Sequence, residues 1–175
     1  MTKSIFLFLL LFCLHCGTED AGFRKVDGPP EKGNTDIVIQ NFHATGKNDK
    51  RVLWTLVSDR AYINNKTGIV LLDKVNLEYF DKKNKKTIII SERGVLHQKK
   101  RIMILDDKVK VYSPNGRKLY TNHLVWEEKT QKLHTDAPVK IYFPGGDSLN
   151  GQNLKADMNL NKIVVDQPIG QVQQK

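Results

Sequence analysis

Cysteine is nearly absent from this chain. Its only two, Cys13 and Cys16, lie close together near the N-terminus, so the remainder can form neither a disulfide framework nor a cysteine-based zinc site. Catalytic signatures are missing as well. There is no Gly-x4-Gly-Lys-Ser/Thr phosphate loop, no His-x3-His pair, and no nucleophile-elbow context around Ser58, Ser91 or Ser148. The histidines His43, His97, His123 and His134 are dispersed. The adjacent carboxylates Asp106 and Asp107, like Glu127 and Glu128, face opposite sides if they lie in a strand, and read as solvated carboxylates near turns. These absences predict a protein that is not an enzyme, with no catalytic residues, metal or cofactor.

A membrane-spanning run is missing too. Lys3 is followed by apolar residues 5–12 and then by the two cysteines. Such a run matches the roughly 7–15 residues of an export-signal core and falls short of the roughly 20 that span a bilayer. Residues 1–15 therefore read as a lipoprotein-type signal with Cys16 as the acylated residue. His15 stands where a small residue is usual, and Cys13 or retention of the whole segment are the alternatives. Residues 16–34 are rich in Gly, Pro and charge, including Gly28-Pro29-Pro30-Glu31-Lys32-Gly33-Asn34, and read as a flexible tether. The predicted folded domain is 35–175.

Acidic residues are outnumbered, with 19 Asp and Glu against 28 Lys and Arg and a net charge of +9. The excess lies in stretches such as Lys82-Lys83-Asn84-Lys85-Lys86 and Lys99-Lys100-Arg101. Nucleic acid is one acidic partner for such a surface. Behind an export signal, anionic lipid or polyanionic glycolipid fits better, and turn lysines that keep sheet edges soluble are the plain alternative.

What is present is a period of two. Val75, Leu77 and Tyr79 alternate with Asn76 and Glu78, and Val109 and Val111 with Lys108 and Lys110, which predicts strands with one buried face. Turn signals recur about every ten residues, among them Asn64-Asn65-Lys66-Thr67-Gly68, Ser113-Pro114-Asn115-Gly116 and Pro144-Gly145-Gly146-Asp147, the spacing of a sandwich, roll or barrel of short strands. A longer beat lies above this one. Ser58-Asp59-Arg60-Ala61, Ser91-Glu92-Arg93-Gly94, Thr121-Asn122-His123-Leu124 and Gly151-Gln152-Asn153-Leu154 recur at spacings of 33, 30 and 30 residues. Each opens on a small residue followed by two polar ones. Complementary units begin Asp73-Lys74-Val75, Asp107-Lys108-Val109 and Ala137-Pro138-Val139. Units of this size cannot bury an apolar face alone and must stack. The fold class is therefore all-β: an elongated, repeat-built antiparallel roll, open at its ends.

This double signature resembles the OstA-type repeat of the lipopolysaccharide transport bridge, and most closely the LptC family. The resemblance covers roughly residues 51–165, through Trp54-Thr55-Leu56-Val57-Ser58-Asp59-Arg60-Ala61, the Asp-Lys-Val units and the stretch from Gly116 to Trp126. It implies a periplasmic β-jellyroll, tethered to the inner membrane, that accepts lipopolysaccharide from an ABC transporter and hands it to the next jellyroll. Better-known members begin with a transmembrane helix, and this chain departs from them there.

Exposing acyl chains to water costs about 0.8 kcal/mol per methylene, so a carrier must offer a continuous apolar trough. The inward candidates are Val75, Leu77, Tyr79, Val109, Val111, Leu119, Leu124, Trp126, Val139, Ile141 and Phe143. All would equally serve as the core of a closed β-sandwich acting as an adhesion or scaffold module, and alternation does not distinguish the two. Lys74, Lys108, Lys110 and Lys140 read as a basic rim for phosphate groups. Partner strands are expected to add by β-augmentation: the transporter's periplasmic domains at the edge around 37–42, and an LptA-like bridge protein at the edge around 163–172.

Overall fold

The computed structural model describes residues 36–48 and 51–171. The expected signal, both cysteines and the tether lie outside the described residues. Within them the chain forms ten strands: β1 (Ile37–Asn48), β2 (Arg51–Asn64), β3 (Ile69–Phe80), β4 (Lys86–His97), β5 (Ile102–Tyr112), β6 (Lys118–Glu127), β7 (Lys132–Thr135), β8 (Val139–Tyr142), β9 (Ser148–Asp157) and β10 (Ile163–Gln171). All pair antiparallel in one sheet, in the order β1-β2-β3-β4-β5-β6-β7-β9-β10, with β8 bridging β6 and β9. The all-β antiparallel expectation holds, and among the described residues β1 and β10 are the edges of the sheet.

The strands are longer than the turn spacing suggested, reaching 14 residues in β2, because most run through a mid-strand crease instead of ending there. Lys74, Asp107, Lys108 and Asn153 take φ values of 59°, 63°, 51° and 52°, and the pairing register slips between Ile90 and Arg93 and between Asp106 and Val109. Bulges of this kind bend a strand and sharpen its twist. Between β7 and β8 the same line is marked by Pro138, which has no N–H to donate to a ladder.

Beside the crease sit the small residues of the long beat. Ser58 is 2.6 Å from the Asp73 carbonyl and 2.8 Å from that of Arg60. Ser91 donates to the Arg93 carbonyl at 2.8 Å, and Thr121 lies 3.0 Å from the Pro138 carbonyl and 3.2 Å from that of His123. All three hydroxyls belong to buried residues. The beat therefore marks where each long strand bends, and the hydroxyl supplies a donor to backbone carbonyls beside the crease.

The crease divides the sheet into two layers that face each other. Layer A contains Leu56, Leu77, Ile89, Val111, Leu119 and Ile141; layer B contains Ala61, Leu72, Leu105, Leu124 and Leu154. In a flat sheet β2 and β6 would stand about 19 Å apart, at about 4.8 Å per strand. The rings of Trp54 on β2 and Trp126 on β6 are instead 6.0 Å apart, and one apolar cluster unites residues from Leu53 to Leu160. The sheet is folded over on itself.

Candidate functional site

The inward face is built from cross-strand rows. One runs Ala44, Leu56, Leu77, Ile89, Val111, Leu119, Ile141, Leu149 through directly paired positions of eight strands, a path of about 34 Å at about 4.8 Å per strand. Leu56, Leu77, Ile89, Val111, Leu119 and Ile141 are each 0% exposed. Four sequence candidates, Leu77, Val111, Leu119 and Ile141, fall on this row. Val75, Val109 and Val139 lie beside the crease, paired with Ser58 and Ser91, with Thr121, and with Gly151 respectively. Leu124 and Trp126 face them from layer B, where Leu124 continues the paired row Ala61, Leu72, Gly94, Leu105. Ten of the eleven candidates are buried, and Phe143, just past β8, is half-buried.

The sequence reading missed Leu56 and Ile89 from the central row. Ile89 sits inside Ile88-Ile89-Ile90, where alternation gives no phase. Only the pairing shows that Ile89 points in and that Ile90, 40% exposed, points out.

Opposite the crease the two layers meet along a seam, which is latched at two places. Trp126 packs edge-on against Trp54 and, at 6.3 Å, against Tyr79, the geometry that aromatic quadrupoles favour. The second latch is polar. The β9–β10 turn inserts Met158 and Leu160 into the core. Its Asn159 side chain accepts from the Thr87 hydroxyl at 2.9 Å and donates to the Asp81 carboxylate at 3.0 Å. Asn115 donates to the Asn159 carbonyl at 3.0 Å, and Arg117 donates to the carbonyls of Leu160 and Asn161.

The lysines read as a rim stand elsewhere. Lys74 pairs with Glu92 at 2.7 Å, and Lys108 approaches the same carboxylate at 3.7 Å, both at the crease, on the side away from the seam. The Lys74 partner holds the Glu92 carboxyl below its ordinary range. Lys110 and Lys140 are exposed between buried Val109 and Val111 and beside buried Val139 and Ile141, which puts them on the outer face of layer A. The paired acids also have partners. Asp106 meets His123 at 2.6 Å, Asp107 meets Arg93 at 2.5 Å, and Glu128 meets Arg101 at 2.7 Å. Asp106 and Asp107 lie at the crease of β5 and not in a turn. Among the described residues no group of three or more His, Cys, Asp or Glu is placed to hold a metal ion, and no helix is long and apolar enough to cross a membrane.

A single antiparallel sheet, creased and folded so that one face becomes a continuous apolar interior, defines a β-jellyroll whose two edge strands pair on one side only among the described residues. The family model described as lipopolysaccharide-assembly, LptC-related, matches residues 5–168, and the chain belongs to that family. The family supplies a component of the lipopolysaccharide transport bridge, a periplasmic protein anchored at the inner membrane. A search of curated proteins found no match.

Proposed function

We propose that this chain receives lipopolysaccharide from the periplasmic domains of an inner-membrane ABC transporter and passes it to the next jellyroll, with the acyl chains lying along the inward face. The observation that carries this reading is the central row from Ala44 to Leu149, which offers apolar contact across eight strands. A lipid with several chains would otherwise expose methylenes at a cost on the order of tens of kcal/mol in water. Ten of the eleven candidate side chains fill the interior themselves, so loading requires the seam to part at its latches.

The edges support the handover. Ile37 and Val38 on β1 are 44% and 57% exposed, and Val164 and Ile169 on β10 are 61% and 69% exposed. Unpaired edges bearing such side chains recruit a further strand. In this reading β1 meets the transporter and β10 meets the LptA-like bridge protein, while acylated Cys16 and the tether at 16–34 hold the domain at the inner membrane. Removing residues 163–175 abolishes pull-down of the bridge protein and leaves transporter binding intact; survival of both would overturn the assignment of edges. Mass spectrometry of the mature N-terminus tests the lipid anchor.

The packed interior favours a second reading, a closed adhesion or scaffold module. Lipid extracted from protein isolated from the envelope separates the two, since only the conduit retains lipopolysaccharide at a defined ratio.

A further inference from the structure

The outer faces of the two layers differ in chemistry. On layer B the paired row Tyr62, Leu71, Val95, Ile104, Val125 is apolar apart from the tyrosine hydroxyl. On layer A two adjacent rows alternate lysine and tyrosine. Lys110 pairs with Tyr120 and Tyr120 with Lys140; two residues along the strands, Tyr112 pairs with Lys118 and Lys118 with Tyr142. Period-two alternation on three neighbouring strands, in this register, makes a checkerboard. Neither row contains a carboxylate between β4 and β9, where the flanking positions are Ile88 and Ile90 on one side and Ser148 and Asn150 on the other.

The rings are fixed. Tyr120 and Tyr142 pack edge to face at 5.6 Å and 89°, and the Lys140 ammonium lies 5.1 Å from the Tyr142 ring centre. Among the described residues Lys110, Lys118 and Lys140 form no ion pair, in contrast to Lys74 and Lys86, which pair with Glu92 and Glu78. The surface is also concave. Two shallow hollows of about 500 and 530 Å³ share Tyr120 and Lys140, and the first reaches the seam lip at Gly116 and Pro144.

We propose that this checkerboard is a binding site for the anionic saccharide of the same lipid whose chains occupy the interior. Tyrosine rings offer flat apolar faces to the C–H face of a sugar ring, and uncompensated ammonium groups are donors for its phosphates. Hollows of about 500 and 530 Å³ have room for one or two sugar rings. The position fits the path as well. Lys118 follows Arg117 at the lip, and Lys110 and Lys140 lie about 7 Å further along the strands, so a saccharide leaving the seam drapes over the lip onto them. The lipid's identity rests on the function proposed above; the affinity for anionic saccharide does not.

The test is titration of the isotopically labelled full chain, followed by NMR, with a deacylated, diphosphorylated glucosamine disaccharide. The dephosphorylated disaccharide and vesicles of anionic phospholipid serve as comparison probes. The site predicts saturable shifts at Lys110, Tyr120, Lys140 and Tyr142 with the phosphorylated sugar, weakened about tenfold or more in Lys110→Gln/Lys140→Gln by loss of two charge-assisted contacts. The exposed side chains replaced there leave the core intact. An equal response to the uncharged sugar, shifts spread over the basic loops at 82–86 and 99–101, or binding of vesicles without binding of the saccharide would each overturn it. If crosslinking of intact lipid in the interior fails while the saccharide still binds here, the conduit is wrong and this site stands.

Discussion

The indole rings of Trp54 and Trp126 meet edge to face across the seam, with centroids 6.0 Å apart and planes at 89°. They come from strands four positions apart in the sheet, so this contact exists only because the sheet is folded over. Trp126 is 2% exposed, and its replacement by alanine removes the ring that Trp54 and Tyr79 both pack against. Trp126→Ala is expected to destabilise the domain by about 3–5 kcal/mol, measured by urea unfolding. Gly46 belongs to the same latch, since a Cβ there would lie 2.0 Å from the Trp54 ring. Gly46→Ala must displace that ring, and tryptophan fluorescence should report its changed surroundings.

Removing the crease hydroxyls should produce a graded series. Ser58 and Thr121 each approach two carbonyls, while Ser91 donates to one. Ser58→Ala and the near-isosteric Thr121→Val are each expected to cost about 1 kcal/mol or somewhat more, and Ser91→Ala less. Equal losses at all three in denaturant unfolding would show that the second carbonyl contributes nothing.

The fourth place in the long beat is Gly151, and space explains the glycine. A Cβ there would lie 3.0 Å from the Asp166 carbonyl oxygen and 3.1 Å from Val165, both on β10. Gly151→Ala should push β10 away, raising amide exchange across residues 163–171 while leaving β2 to β5 protected. Uniform exchange changes would mean that β10 is not held at this point.

The pair of His123 and Asp106 gives stability a pH dependence. The hydrogen bond to Asp106 raises the His123 pKa above its ordinary value, so its contribution is fully present below about pH 6.5, the unfolded value, and is lost as pH rises through the folded one. The stability gap between the wild-type chain and His123→Gln should therefore be widest in mild acid and close toward alkaline pH. Burial lowers the His97 and His134 values, which works in the opposite sense; the burial effects are common to both proteins and cancel in the difference, while the smaller part of the His134 lowering that comes from the His123 charge is lost in His123→Gln. A gap that widens with rising pH would contradict the assignment.

Much of the fold was legible because its signals are local. The turns at Asn64 to Gly68, Ser113 to Gly116 and Pro144 to Asp147 use residues with turn-forming chemistry, and alternation set most inward positions. The crease is visible in the sequence as the beat of Ser58, Ser91 and Thr121, but nothing local shows that the strand continues past the bend, because apolar alternation resumes on either side of it. The positive φ values at Lys74, Asp107 and Lys108 fall on residues that do not advertise them. The polar latch was out of reach, since Asn159 contacts Thr87 and Asp81 across more than 70 positions of sequence. The lysines are visible in the sequence only one by one. Their checkerboard with Tyr112, Tyr120 and Tyr142 needs the register of three strands, which no single segment encodes.

The central claim is that the inward face holds lipid. Its most direct test places a photo-crosslinking residue at Val111, on the central row, and at Phe143, beside the seam, in the full chain in cells, with an outward position such as Lys155 for comparison. Adducts with lipopolysaccharide at the two inward positions and none at Lys155 are predicted. Their absence from every inward position, with efficient adducts outside, would leave the interior as an ordinary core.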